Sequence, residues 1–169
     1  MWMPKGSYWT QPKGEAHITS AKGVTNLAYS EIEVGPYLVH PAEKAFDSGE
    51  RPVNIDAANL VWLESAETPA VSLSYLWGSS KEEQMNGTLL KLPRGFAGAI
   101  QTSDSIFRAV TIQGRCKYGF SNEVGVQSIP PGSYFGSTKR TLHPISCEGA
   151  DVCVLYIRTA GRYSVAAKQ

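Results

Sequence analysis

Residues 3–17 read MPKGSYWTQPKGEAH, and residues 129–143 read IPPGSYFGSTKRTLH. Continued without a gap at an offset of 126, Met3–Val39 aligns with Ile129–Val165. Eleven positions are identical: Pro4/Pro130, Gly6/Gly132, Ser7/Ser133, Tyr8/Tyr134, Lys13/Lys139, His17/His143, Ser20/Ser146, Gly23/Gly149, Gly35/Gly161, Tyr37/Tyr163 and Val39/Val165. Trp9/Phe135 is a conservative match besides. Two of the three histidines fall in this alignment. A gapless self-match of this kind marks a repeated structural unit.

The repeat is lopsided. Residues 59–126 precede the second copy and read as strands of the same unit, whereas the first copy has no such run before it. The chain is therefore expected to hold the back half of one module (1–40), a connector (41–58) and one complete module (59–169). The connector is rich in turn formers, with at most one helical turn at Glu43–Phe46.

Both modules read as all-β. Val71, Leu73, Tyr75 and Trp77 alternate with Ser72, Ser74 and Leu76, the period of a half-buried strand. Thr88–Leu92, Ile106–Ile112, Val124–Ile129 and Val152–Arg158 are short β-branched or aromatic runs. Asn86-Gly87, Gly114, Pro131-Gly132 and Glu148-Gly149 are the expected turns between them. Many short strands with frequent turns suggest a sandwich or barrel, and no long window carries helical periodicity.

Composition narrows the function. The chain has 169 residues, 16 Lys+Arg against 15 Asp+Glu, and 42% apolar residues, enough for one domain with a real core. The near-neutral balance without a basic cluster argues against nucleic acid or an anionic membrane as partner. No apolar run approaches the ~18 residues that a spanning helix requires. The start lacks the layout of a signal peptide, so a cytoplasmic location is expected, with the periplasm or secretion as the alternative. Three cysteines are too few to define the fold. Cys147 and Cys153 flank an expected hairpin turn; they read as small buried hydrophobes, with a disulfide as the alternative in an oxidising compartment.

Gly6-SYWTQ-Pro12-Lys13-Gly14-Glu15-Ala16-His17 fits the pattern G-x5-P-x-G-x2-H. This resembles the second conserved motif of the cupin superfamily, a jelly-roll β-barrel in which the Gly/Pro turn delivers the His to the barrel mouth. The chain is most similar to an uncharacterised family of two-cupin proteins, through MWMPKGSYWTQPKGEAHIT, EIEVGPYLVHP, AFDSGERPVNID, YLWG, KLPRGF and PPGSYFGST. Members are typically longer, with a complete first cupin often behind an export signal, and this chain resembles their C-terminal part.

The resemblance implies a test for metal. Active cupins usually bind one divalent ion, commonly iron, manganese, nickel or zinc. Two His and a Glu come from a first motif, G-x5-H-x-H-x3/4-E-x6-G, and a third His from the second. In the complete module the first motif should fall at Gly95-FAGAI-Gln101-Thr102-Ser103-DSIF-Arg108-AVTIQ-Gly114. Gln101 and Ser103 stand at the His positions and Arg108 at the Glu position, so His143 alone remains. One imidazole beside a guanidinium is a poor divalent site. No cofactor is expected; a metal at His143 would need an unconventional ligand such as Gln101 or Asp104. His17 is better framed, but a metal there would need ligands from another chain. The alternative for His17 is a core or rim histidine bonded to its turn.

If Arg108 keeps the inward direction of the Glu it replaces, then Arg108, His143, Gln101 and Ser103 form a cationic pocket for a small carboxylate or phosphate. If strand parity turns it outward, it is a solvated charge. Trp62, Tyr75, Trp77, Phe96 and Phe107 read as core. His40 reads as surface.

These features lead to a degenerate cupin that binds a small molecule or serves a structural role. The alternatives are a metal-dependent dioxygenase- or isomerase-like enzyme using His17, and a regulatory cupin like those of some anti-sigma factors. Tyr8, Trp9, Ile18, Leu27 and Tyr29 would need cover in a half-module, so a homodimer through residues 1–40 is expected.

Overall fold

The computed structural model describes residues 2–33, 35–81, 83–103, 106–119 and 125–168. The chain divides into two compact units, Met1–Asn59 and Leu60–Gln169.

The first unit carries little regular structure. Its strands β1 (Tyr8–Trp9) and β2 (Asn54–Ile55) pair antiparallel, and short 3-10 turns occupy Ala42–Lys44 and Ala57–Asn59. Between residues 10 and 41 no described residue belongs to a strand. Ile18, Val24, Leu27, Leu38 and Val39 are exposed along this stretch.

The second unit holds the remaining strands: β3 (Leu63–Glu64), β4 (Ser72–Gly78), β5 (Met85–Leu92), β6 (Ala97–Thr102), β7 (Phe107–Gln113), β8 (Arg115–Tyr118), β9 (Gln127–Ile129), β10 (Tyr134–Ser137), β11 (Leu142–Glu148), β12 (Cys153–Ala160) and β13 (Tyr163–Ala167). They form a six-stranded sheet, β10-β7-β12-β5-β4-β3, and a five-stranded sheet, β13-β6-β11-β8-β9. The antiparallel pairs nest, β5 with β12, β6 with β11, β7 with β10 and β8 with β9. That nesting is the jelly roll, and the fold class is the one expected from the sequence. Each back-half strand finds its partners in the front half of the same module.

The core between the sheets follows strand parity. In β11, His143, Ile145 and Cys147 are buried while Leu142 and Glu148 are exposed. In β7, Phe107 and Ala109 join the interior cluster of Leu90, Leu92, Ile100, Leu155 and Ile157. A smaller cluster around Leu89, Val154 and Tyr156 also gathers Ile112, Leu60 and Trp62, with Lys91 3.7 Å over the Trp62 ring.

Two local expectations are corrected. Asn86-Gly87 is not a turn but part of β5, opposite Thr159 and Arg158. The Asn86 amide donates to the carbonyls of Thr159 and Gly161, which satisfies a buried polar side chain in the strand. The alternation from Val71 to Trp77 also breaks, because the β4 register shifts between Tyr75 and Trp77. Tyr75 is exposed, and beyond the shift the Trp77 indole lies on Gly87, from which it donates to the Tyr156 hydroxyl at 3.0 Å. Of the expected strand at Val124–Ile129, Gln127–Ile129 forms β9 and Val124 lies outside the described residues.

Cys147 and Cys153 are both buried core residues and are joined by a disulfide, with Cα atoms 5.6 Å apart. Here the alternative reading of these residues applies. Cys116 is a buried free thiol.

Candidate functional site: a histidine enclosed by rings and hydroxyls

The site is built on β11. The alternating phase of that strand turns His143 into the barrel, where it is 1% exposed. Opposite it in register is Ile100 of β6, a fully buried apolar residue. The imidazole stacks on Phe107, with centroids 5.0 Å apart and planes at 22°. Phe135 and Tyr118 flank it at 5.3 Å and 5.9 Å.

Both ring nitrogens are engaged by hydroxyls. Tyr118 Oη lies 2.9 Å from Nδ1, and Ser137 Oγ lies 3.0 Å from Nε2. A neutral imidazole presents one donor and one acceptor, and a hydroxyl can serve either, so the trio is satisfied in both tautomers. Burial holds the His143 pKa below its ordinary value, which favours the neutral ring. Burial likewise raises the Tyr118 phenol. Beyond Phe107, Tyr163 places its hydroxyl 2.9 Å from that of Thr88; burial, opposed by this bond, raises its pKa. Tyr118, Phe135, Ser137 and Tyr163 are only partly buried, so the ring cluster reaches the surface.

The expected pocket of Arg108, His143, Gln101 and Ser103 is not assembled. Arg108 is exposed and lies one residue out of phase with the inward Phe107 and Ala109. Gln101 and Ser103 are exposed, while Ile100 and Thr102, which alternate with them, are buried. The motif spacing runs one residue out of phase with the inward face on both strands, and a one-residue slip exchanges the two faces of a strand. Ser103 Oγ donates instead to the Arg162 carbonyl at 3.5 Å. Asp104 lies outside the described residues.

The metal ion that the fold implies can be tested against these groups. The residues around His143 offer one imidazole with both nitrogens hydrogen-bonded, phenyl rings and neutral hydroxyls, a donor set that does not suit a divalent cation. Among the described residues no group of three or more His, Cys, Asp or Glu side chains could hold an ion. His17 is exposed, with Nδ1 3.3 Å from the Glu15 carbonyl oxygen. His40 is exposed as expected. Within the first unit, Pro12, Glu15, Phe46, Asp47 and Arg51 line an open concavity of about 500 Å³. Its Arg51 and Asp47 already pair with each other at 2.8 Å.

Tyr118, Ser137, Phe135 and Thr88 were not legible as site residues. Tyr163 carried one signal, its identity with Tyr37 in the repeat.

Comparison with known proteins fits this architecture. The model of the DUF4437 family, a domain of unknown function, matches residues 1–166. The chain belongs to DUF4437. A search of curated protein sequences found no match. Among solved structures, that of the DMSP lyases RdDddP and RnDddQII superposes with a TM-score of 0.51 at 13% identity, covering 67% of this chain and 64% of that one. The cupin domain of Schizosaccharomyces pombe Cnp3 superposes with a TM-score of 0.50 at 12% identity, covering 66% of this chain and 76% of that one. An RmlC-like cupin from Shewanella frigidimarina gives 0.48 at 10% identity, covering 62% and 86%. At such identities the first two show a shared cupin-like fold in this DUF4437 protein and nothing about its chemistry.

Proposed function

We propose that this DUF4437 protein is a degenerate cupin that binds a small, planar, largely uncharged molecule at the ring-lined end of its barrel, without metal chemistry. The observation that carries the reading is His143, whose two nitrogens are held by Tyr118 and Ser137 while Phe107 stacks on its face. A ring held neutral inside a partly exposed aromatic cluster favours a flat ligand that stacks and accepts or donates one hydrogen bond. An anionic ligand has less support, because Arg108 is exposed and out of phase with the buried His143.

The experiment pairs metal analysis with a ligand screen. Purified protein is incubated with iron, manganese, nickel and zinc, desalted, and assayed for bound metal. Its melting temperature is then read against phenol, indole, benzoate and inorganic phosphate. The reading expects substoichiometric metal, and stabilisation by phenol or indole that is lost in Phe135→Ala. One metal per chain, lost in His143→Ala, would overturn it in favour of a metal-dependent enzyme; one metal lost in His17→Ala would place that site in the first unit. Stabilisation by benzoate or phosphate that Arg108→Glu abolishes would restore the anion pocket.

The assembly proposed with this function is a homodimer that covers residues 1–40. Exposed Ile18, Leu27 and Val39 support it, since covering exposed apolar side chains favours association.

A further inference from the structure

The chain contains three cysteines, and the fold gathers all of them in one buried cluster. Cys147 of β11 is bonded to Cys153 of β12. On the other side of β11, Cys147 stands directly opposite Cys116 of β8 in the strand register. Both backbone groups of Cys147 are turned the other way: its N–H donates to the Phe96 carbonyl at 2.8 Å, and its carbonyl accepts from Gly95 N–H at 3.1 Å. Cys116 and Cys147 are therefore a non-hydrogen-bonded cross-strand pair, the kind whose Cα atoms lie about 4.5 Å apart and whose side chains lie closest. A disulfide needs Cβ atoms about 3.5–4.5 Å apart, which such a pair meets with little strand movement.

We propose that these residues form a thiol–disulfide exchange centre in which Cys147 is the shared sulfur, bonded to Cys153 in one state and to Cys116 in the other. The Cys116 thiolate attacks Sγ of Cys147. The Cys116–Cys147 bond forms as the Cys147–Cys153 bond breaks, and the electron pair leaves on Cys153, which takes up the proton that Cys116 lost. Nothing is oxidised or reduced overall, so the step needs no external oxidant. The structural consequence is directional. Cys147–Cys153 ties the five-stranded sheet to the six-stranded one across the β11–β12 connection, whereas Cys116–Cys147 staples two strands of the five-stranded sheet. Exchange therefore releases the disulfide between the sheets and leaves only the short β11–β12 connection joining them there.

The environment of the attacking thiol governs the rate. Burial pushes the Cys116 pKa up to about 12, against a smaller opposing effect from the Thr111 hydroxyl. Since the thiolate is the nucleophile, exchange rises about tenfold per pH unit well past the ~8.5 at which an exposed thiol levels off.

Disulfide mapping of the full chain tests this. Reduced Cys153→Ser and Cys147→Ser variants are exposed to oxidised glutathione, acid-quenched, alkylated under denaturing conditions and digested. The expected result is a Cys116–Cys147 cross-link in most of the Cys153→Ser protein, and no Cys116–Cys153 cross-link in Cys147→Ser. Folded Cys153→Ser that keeps two free thiols overturns the proposal, as does equal cross-linking in both variants. If Cys153→Ser does not fold, the wild-type protein decides. After incubation from pH 7 to 10, peptides joined through Cys116–Cys147 are expected in a proportion that climbs with pH. Their absence at every pH overturns the proposal.

Discussion

Tyr118 and Ser137 grip opposite edges of one imidazole, at 2.9 Å from Nδ1 and 3.0 Å from Nε2 of His143. They arrive from different sheets, Tyr118 from β8 and Ser137 from β10, so the histidine links the two layers through its ring as well as by packing. Removing either hydroxyl leaves a buried nitrogen without its partner, and such a loss costs about 1–3 kcal/mol. Tyr118→Phe and Ser137→Ala are each expected to lower stability by that order in a denaturant titration, and the double variant by less than the sum, since both act through one ring. Strict additivity would show that the two bonds are not coupled.

The buried ring also sets a pH dependence. His143 has a folded-state pKa below its ordinary value of about 6.5 because burial disfavours the charged form. Above that ordinary value both folded and unfolded chains hold it neutral, and its contribution is fully present. As pH falls below it, the unfolded chain binds a proton that the folded chain refuses, so stability drops until the lowered folded-state value is passed. Melting temperature is expected to fall between pH 7.5 and pH 5, and His143→Gln to flatten part of that slope. An unchanged slope in the variant would mean that other groups carry it.

Gly87 matters through what lies on it. A Cβ there would overlap the indole ring of Trp77, whose N–H reaches Tyr156. Gly87→Ala is expected to displace Trp77, cost about 1–3 kcal/mol and shift the tryptophan emission. Emission and stability both matching the wild type would show that the indole has room to move.

Assembly is open to a direct measurement. Val39 and Val165 are equivalent in the repeat, yet Val165 is 5% exposed and Val39 81%. Leu27 is exposed where its counterpart Cys153 is fully buried. Light scattering at micromolar concentration is expected to give a dimer, and Leu27→Asp with Val39→Asp to shift it towards monomer. A monodisperse wild-type monomer would defeat the homodimer.

Much of the barrel was legible because its cues are local. Pro131-Gly132 and Glu148-Gly149 mark turns, and Gly114 lies at positive φ between β7 and β8. Asn86-Gly87 misled because a turn-forming pair also fits a strand when the amide finds carbonyls and an indole needs the space. The inward residues of β6 and β7 misled for a different reason. Gln101 and Arg108 sit where the motif spacing asks for ligands, but the neighbouring Ile100 and Phe107 took the interior.

The chain's own residues thus determined the all-β class and many of its turns, since strand period and turn chemistry are properties of neighbours in sequence. Only the tertiary structure decided which of two adjacent residues faces the core, which hydroxyls reach His143, and that Cys116 stands beside Cys147. Those outcomes depend on strand pairing between segments far apart in the chain, where a shift of one residue reverses a face and no local pattern records the choice.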